Sequence, residues 1–207
     1  MYDRATELRS LAARVRLIVE RADLFLDTET TDRDGSEIVE IGIVDRDGHV
    51  LLQALVRPLG AIDPAASAVH GITAATVASA ALWPELWPAV SGIIRGRALA
   101  CYNAAFDARA VANSCQRHYL DLAGSADRVG VCWLDVMEPF AAWYGEWNEH
   151  YHNYRYQKLA TALQCADPVG HLGEARNSHR AADDAAACRQ VLLWLDRELQ
   201  QPAADGF

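Results

Sequence analysis

The chain has 207 residues, 51% of them hydrophobic and 23% charged, with a formal net charge of −9. This length and composition fit one globular domain with room for an appended element. The acidic balance argues against a tight, non-specific binder of nucleic acid, and no apolar run approaches the ~18–20 residues that span a bilayer.

In chain order, residues 5–22 place Leu8, Leu11, Ala12, Val15, Ile18, Val19 and Ala22 at three- and four-residue spacing. That predicts an amphipathic helix packed on the domain or on a second subunit, not on a membrane. Leu24–Leu26 reads as a short strand running into Asp27 and Glu29. Residues 38–44 and 50–56 follow as strands joined by Asp45-Arg46-Asp47-Gly48, a strong turn signal, so three antiparallel strands are expected. Residues 74–80 and 85–94 read as helices, 98–102 as a buried strand, 107–119 as a helix and 129–134 as another strand. An aromatic stretch from 141 to 157 includes Trp143, Tyr144, Trp147, Tyr151, Tyr154 and Tyr156. Residues 158–163 and 180–199 read as helices. Strands followed by alternating helices and strands predict a single α/β domain with a mixed sheet. The expected organisation is a helix at 1–22, a domain at 23–200 and a disordered tail at 201–207.

Cys101, Cys115, Cys132, Cys165 and Cys188 are widely spaced and form no Cys-x-x-Cys pair, so they are expected as reduced, buried thiols. Charged residues interrupt the first stretch where a secretory signal would be apolar. A cytoplasmic location is therefore expected.

Three fragments carry chemistry. Asp27 and Glu29, two apart on a strand, project from the same face. Two carboxylates aimed at one volume raise each other's pKa unless a cation lies between them, an arrangement suited to Mg²⁺ or Mn²⁺. The alternative is a pair of exposed charges at a strand end. Asp107 follows a buried strand and the small residues of Asn103-Ala104-Ala105; it also suits an ordinary helix N-cap. His179 and Asp184 lie about one and a half helical turns apart and can face one site. Asp183 competes with Asp184 for that role, and a lone histidine at a helix start often only caps or meets solvent.

Taken together, these fragments resemble the DEDDh branch of the 3′→5′ exonucleases, over residues 24–195. Asp27-Thr28-Glu29-Thr30-Thr31 is similar to the first family motif and Asn103-Ala104-Ala105-Phe106-Asp107 to the second. His179, four residues, then Asp184-Ala185 is similar to the third, which favours Asp184 over Asp183. Glu37-Ile38-Val39-Glu40-Ile41-Gly42, His70-Gly71-Ile72-Thr73 and Lys158-Leu159-Ala160 are secondary matches. The resemblance implies an RNase H-like exonuclease fold with a central mixed five-stranded sheet flanked by helices. It implies two divalent ions, Mg²⁺ or Mn²⁺, held by Asp27, Glu29, Asp107 and Asp184, with His179 as the general base. Thr30, His70, Asn103 and Phe106 become candidates for contacts to the terminal nucleotide. The implied activity is release of nucleoside 5′-monophosphates from single-stranded 3′ ends. DNA is favoured because the motifs are most similar to those of proofreading members, and RNA trimming is the alternative. A second copy of the chain or a polymerase is the protein partner such a domain suits.

Where many members continue the first motif with glycine and an apolar wedge, this chain has Asp32 and Arg33. The aromatic stretch has two readings, base stacking or packing. Two further classes use the same residues differently, a non-catalytic polymerase-associated module and a phosphatase of small nucleotides.

Overall fold

The computed structural model describes residues 4–120, 130–168 and 180–201. The expected first helix, α1 (Arg4–Arg21), leads into β1 (Leu24–Thr30), β2 (Ile38–Asp45) and β3 (Val50–Arg57). Next come α2 (Pro64–His70), α3 (Ala74–Val77), β4 (Ala81–Leu82), α4 (Trp83–Ile94) and β5 (Ala98–Cys101). The chain continues through α5 (Ala104–Arg117), β6 (Cys132–Asp135), α6 (Met137–Tyr144) and a small hairpin, β7 (Trp147–Asn148) with β8 (Asn153–Tyr154). It closes with α7 (Leu159–Ala166) and α8 (Ala181–Gln200).

The sheet order is β4-β3-β2-β1-β5-β6. β1, β2 and β3 pair antiparallel, while β5 and β6 extend the sheet in parallel with β1. The mixed sheet is thus as expected, with a sixth strand at its edge. That strand, β4, is two residues long, too short to leave a periodic signal in the sequence. α2, α6 and the small hairpin also lay outside the sequence expectations. α2 is marked by Asp63, whose carboxylate caps Ala65 N–H, and by Gly71, whose left-handed φ of 72° ends the helix.

Two apolar layers sandwich the sheet. Leu24, Leu26, Ile41 and Leu99 meet Trp83, Val90 and Ile94 of α4 and Val111 of α5. On the other face, Phe25, Val44 and Ala100 meet Leu11 and Val15 of α1, Phe140 of α6, Leu163 of α7 and Leu192 of α8. β2 is covered on both faces, which explains why its residues 38–44 are all buried. α1 therefore packs on the domain. Its C-terminal carbonyls are closed by Arg46 of the β2–β3 turn, whose guanidinium donates to Ala22 O and Glu20 O at 2.8–3.0 Å.

All five cysteines are free, and Cys101, Cys115 and Cys188 are buried. Among the described residues no helix is long and apolar enough to cross a membrane. The expected tail at 201–207 lies outside the described residues beyond Gln201.

Candidate active site

β1 is longer than its apolar run suggested and carries the acidic pair within the sheet. Leu24 and Leu26 face α4 and α5 while Phe25 faces α8, so alternation turns Asp27 and Glu29 toward α8 and Thr28 toward α5. Opposite them in register, Asp27 pairs with Gly42 and Glu29 with Glu40. A Cβ on Gly42 would overlap the backbone of Ala181 and Ala182. The missing side chain lets the first turn of α8 rest directly on the sheet.

That contact delivers Asp184. Carboxylate oxygens of Asp27, Glu29 and Asp184 lie within 4.8 Å of one another, while neighbouring Asp183 is exposed. The start of α8 is held by Glu40, a fully buried side chain. Arg180 Nη2 reaches its Oε1 at 2.6 Å, and Ala181 N–H donates to its Oε2 at 3.2 Å. Sequence reasoning assigned Glu40, Gly42 and Arg180 no role. An acidic residue and a glycine inside an otherwise apolar strand were the available signal.

Asp107 approaches from the other face. It lies in the first turn of α5, 2% exposed, and accepts a hydrogen bond from Thr28 Oγ1 at 2.8 Å. The N-cap position belongs to Asn103 instead. Asp135, at the end of β6, fixes this corner by accepting from Ala104 N–H at 2.9 Å and Glu138 N–H at 2.8 Å.

The electrostatics follow from crowding like charges in a dry corner. Burial, then Asp107, Asp184, Glu29 and Glu40, pushes the Asp27 carboxyl well above the usual range. Burial, with Asp184, Glu40 and Asp107, pushes Glu29 up to about 8. Burial pushes Asp107 up to about 7, although the Thr28 hydrogen bond pulls the other way. Three acids that resist ionising, set beside Asp184, form a site suited to a hard divalent cation. The donor set is all oxygen, which fits Mg²⁺ or Mn²⁺ better than a thiophilic metal.

The remaining expected residues are placed as follows. Thr30 is buried and its hydroxyl donates to Asp32 O at 2.6 Å. His70 is buried; its Nδ1 accepts from Ile72 N–H at 3.0 Å, so its Nε2, 3.2 Å from Thr30 O, is the donor. The ring thus braces the end of β1. Asn103 is exposed, and with Asp184 and Tyr102 it lines a cavity of about 490 Å³. Phe106 is half-buried under Arg109, whose guanidinium stands 5.6 Å from the ring centroid. His179 lies outside the described residues, immediately before Arg180. Asp32 turns its carboxylate to its own loop, accepting from Asp34 N–H and Ser36 N–H at 2.9 and 3.2 Å.

The aromatic stretch divides. Trp143 packs edge-on against Trp194 at 4.8 Å between centroids, and Tyr154 donates to Glu7 at 2.6 Å. Trp147, Tyr151 and Tyr156 remain exposed.

A carboxylate cluster set between the central strands and the N-termini of two helices is the arrangement of a phosphodiester-cleaving nuclease. Residues 24–192 match the RNase_T family, described as exonuclease. The chain is 31% identical over 188 residues to the uncharacterized exonuclease CP81 of Escherichia phage 186, covering 90% of this chain and 93% of that one. It belongs to this exonuclease family, of DnaQ-like type. Among solved structures it is similar to exonuclease X in complex with 5′ overhanging duplex DNA. That match has a TM-score of 0.59 and 24% identity, over 87% of this chain and 94% of that one. It is also similar to E. coli exonuclease I in complex with a dA16 oligonucleotide. There the TM-score is 0.65 and the identity 18%, over 86% of this chain and 41% of that one. The fold is thus the RNase H-like exonuclease fold, and the protein is an enzyme that hydrolyses nucleic acid.

Proposed function

We propose that this protein is a 3′→5′ exonuclease that releases nucleoside 5′-monophosphates from single-stranded DNA ends, using two divalent ions. The convergence of Asp27, Glu29 and Asp184 within 4.8 Å carries the reading. Asp27, Glu29 and Asp184 would hold one ion, and Asp27 with Asp107 the second. Such ions, when bound, stabilise the attacking and leaving oxygens of an in-line displacement at phosphorus.

The protein's own residues do the rest. The carboxylates give up the protons that crowding makes them retain. Thr28 orients Asp107, and Glu40 with Gly42 sets the position of Asp184. His179, next to the anchored Arg180, would accept the proton of the attacking water. Its resemblance to the family's base supports this role, and imidazole is a common general base near neutral pH. Thr30, Asn103 and Phe106 would meet the terminal nucleotide, with His70 holding Thr30 in place.

DNA is supported by the solved relatives, whose structures contain a dA16 oligonucleotide or duplex DNA. The five free cysteines fit a reducing compartment, the cytoplasm. The net charge of −9 favours a partner gripped at one end over non-specific coating of DNA.

The test is a matched set of 5′-labelled single-stranded DNA, duplex DNA and RNA, incubated with Mg²⁺ or Mn²⁺ and resolved to one nucleotide. Stepwise shortening from the 3′ end, fastest on single-stranded DNA, is expected. Shortening from the 5′ end, internal cuts, or faster degradation of RNA would overturn the corresponding part.

A further inference from the structure

The cavity beside Asp184 is larger than the carboxylates need. At about 490 Å³ it falls in the ~300–1,000 Å³ range of small-ligand pockets, and its wall includes Asn103, Tyr156 and Lys158. A second cavity of about 440 Å³ meets it at Asn103, Met137 and Tyr156 and continues over Ala105 and Trp133. Two nucleotide-sized spaces thus adjoin each other, with only the first touching the acidic cluster.

The residues at their junction have the chemistry of an unpaired strand. Tyr156 is 53% exposed, lies in the chain between the β7–β8 hairpin and α7, and lines both spaces. An exposed aromatic face stacks nucleobases of any sequence. Lys158, two residues on, is the only lysine of the chain; the other basic side chains are arginines. It is exposed, is the sole cation in the wall of the first cavity among the described residues, and is in no ion pair among them. In a protein of net charge −9, an unpaired cation two residues from an exposed ring, beside a phosphodiester-cleaving cluster, complements a nucleic-acid backbone.

We infer that Tyr156 and Lys158 form an upstream subsite for the unpaired strand, Tyr156 stacking a base 5′ of the scissile phosphate and Lys158 pairing with a phosphate. This rests on the exonuclease reading above. The enzyme then measures the strand over more than the nucleotide it removes, and prefers oligomers to dinucleotides.

The experiment compares kcat/KM for a 5′-labelled deoxydinucleotide and a deoxyoctanucleotide, using the full-length protein with Mn²⁺. Wild type is expected to favour the octanucleotide. Tyr156→Ala and Lys158→Ala should each lower that preference about tenfold, mainly through KM on the octanucleotide. Tyr156→Phe and Lys158→Arg should retain it, which a loss of folding would not allow. Lys158→Ala should also reduce the salt slope of log KM by about 0.7, the signature of one lost phosphate contact on a single strand. No length preference in wild type, or a preference unchanged in Tyr156→Ala and Lys158→Ala, would overturn the subsite while leaving the exonuclease reading intact. If wild type degrades neither substrate, that reading falls and takes the subsite with it. Occupation of the groove by a peptide segment instead of a strand would show as an unchanged preference.

Discussion

Glu40 of β2 and Arg180, the residue preceding α8, are joined at 2.6 Å across 140 positions of sequence, and the carboxylate of this pair is fully buried. The same carboxylate caps Ala181 N–H. The pair therefore fixes the start of α8, and with it the position of Asp184.

Removing the guanidinium leaves a buried carboxylate with only Ala181 N–H and the Gln53 amide as described donors. Arg180→Ala should destabilise by about 1–3 kcal/mol, read by urea denaturation, and should slow cleavage as Asp184 loses its anchor. Arg180→Lys should recover only part of both, because an ammonium cannot reproduce the planar fork of donors. Stability unchanged in Arg180→Ala would show that the pair does not hold the helix.

Gly42→Ala should be more damaging than its size suggests. The added methyl meets backbone, which cannot rotate away, so α8 must lift from the sheet. Overpacking typically costs ~1–3 kcal/mol. Here the displacement also separates Asp184 from Asp27, so activity should fall further than thermal stability. Wild-type cleavage by Gly42→Ala would show that the close approach is dispensable.

The pH dependence has a definite sign. Glu29 is raised from 4.5 to about 8 and Asp107 from 3.8 to about 7 in the folded, metal-free protein. Between the unfolded and folded values the native state binds more protons than the unfolded chain. Stability contributed by these groups is therefore fully present below about pH 4 and is lost as pH rises through about 7–8. A divalent ion binds the deprotonated carboxylates and reverses this loss. Mn²⁺ should raise Tm more at about pH 8.5 than at about pH 5.5. Equal shifts at both pH values would place the ion elsewhere.

Asp27→Asn should separate stability from function. The neutral amide relieves the repulsion from Asp107, Asp184 and Glu29. The variant should melt higher than wild type without metal at about pH 8, and lose the Mn²⁺-induced shift. Its cleavage rate should fall at least about hundredfold. An active Asp27→Asn enzyme would refute the assigned cluster.

His179→Ala should flatten the acidic limb of the single-turnover rate profile, because the group that must be unprotonated to accept the water's proton is gone. A variant that changes only KM, with the limb intact, would remove His179 as the base.

Much of the architecture was legible because long buried elements impose periodicity. β2, β3, α5 and α8 were visible as apolar runs or helical faces. β4, α2, α6 and the β7–β8 hairpin were not, being too short to repeat a pattern. The helix at 104–117 starts three residues earlier than its sequence reading, because Asp135 caps it from a distant strand. The aromatic stretch read as one feature and is two, with Trp143 and Tyr154 committed to packing.

The sequence by itself determined which acids belong together, since strand alternation pairs Asp27 with Glu29 and the motif order selects Asp107 and Asp184. It also determined the exonuclease class. Only the tertiary structure decided how those acids meet. Gly42 and Glu40 seat α8 on the sheet, Thr28 ties in Asp107, and the resulting desolvation raises the carboxyls' hold on their protons. Such contacts depend on residues distant in the chain, and a residue's own neighbours in sequence carry no record of them.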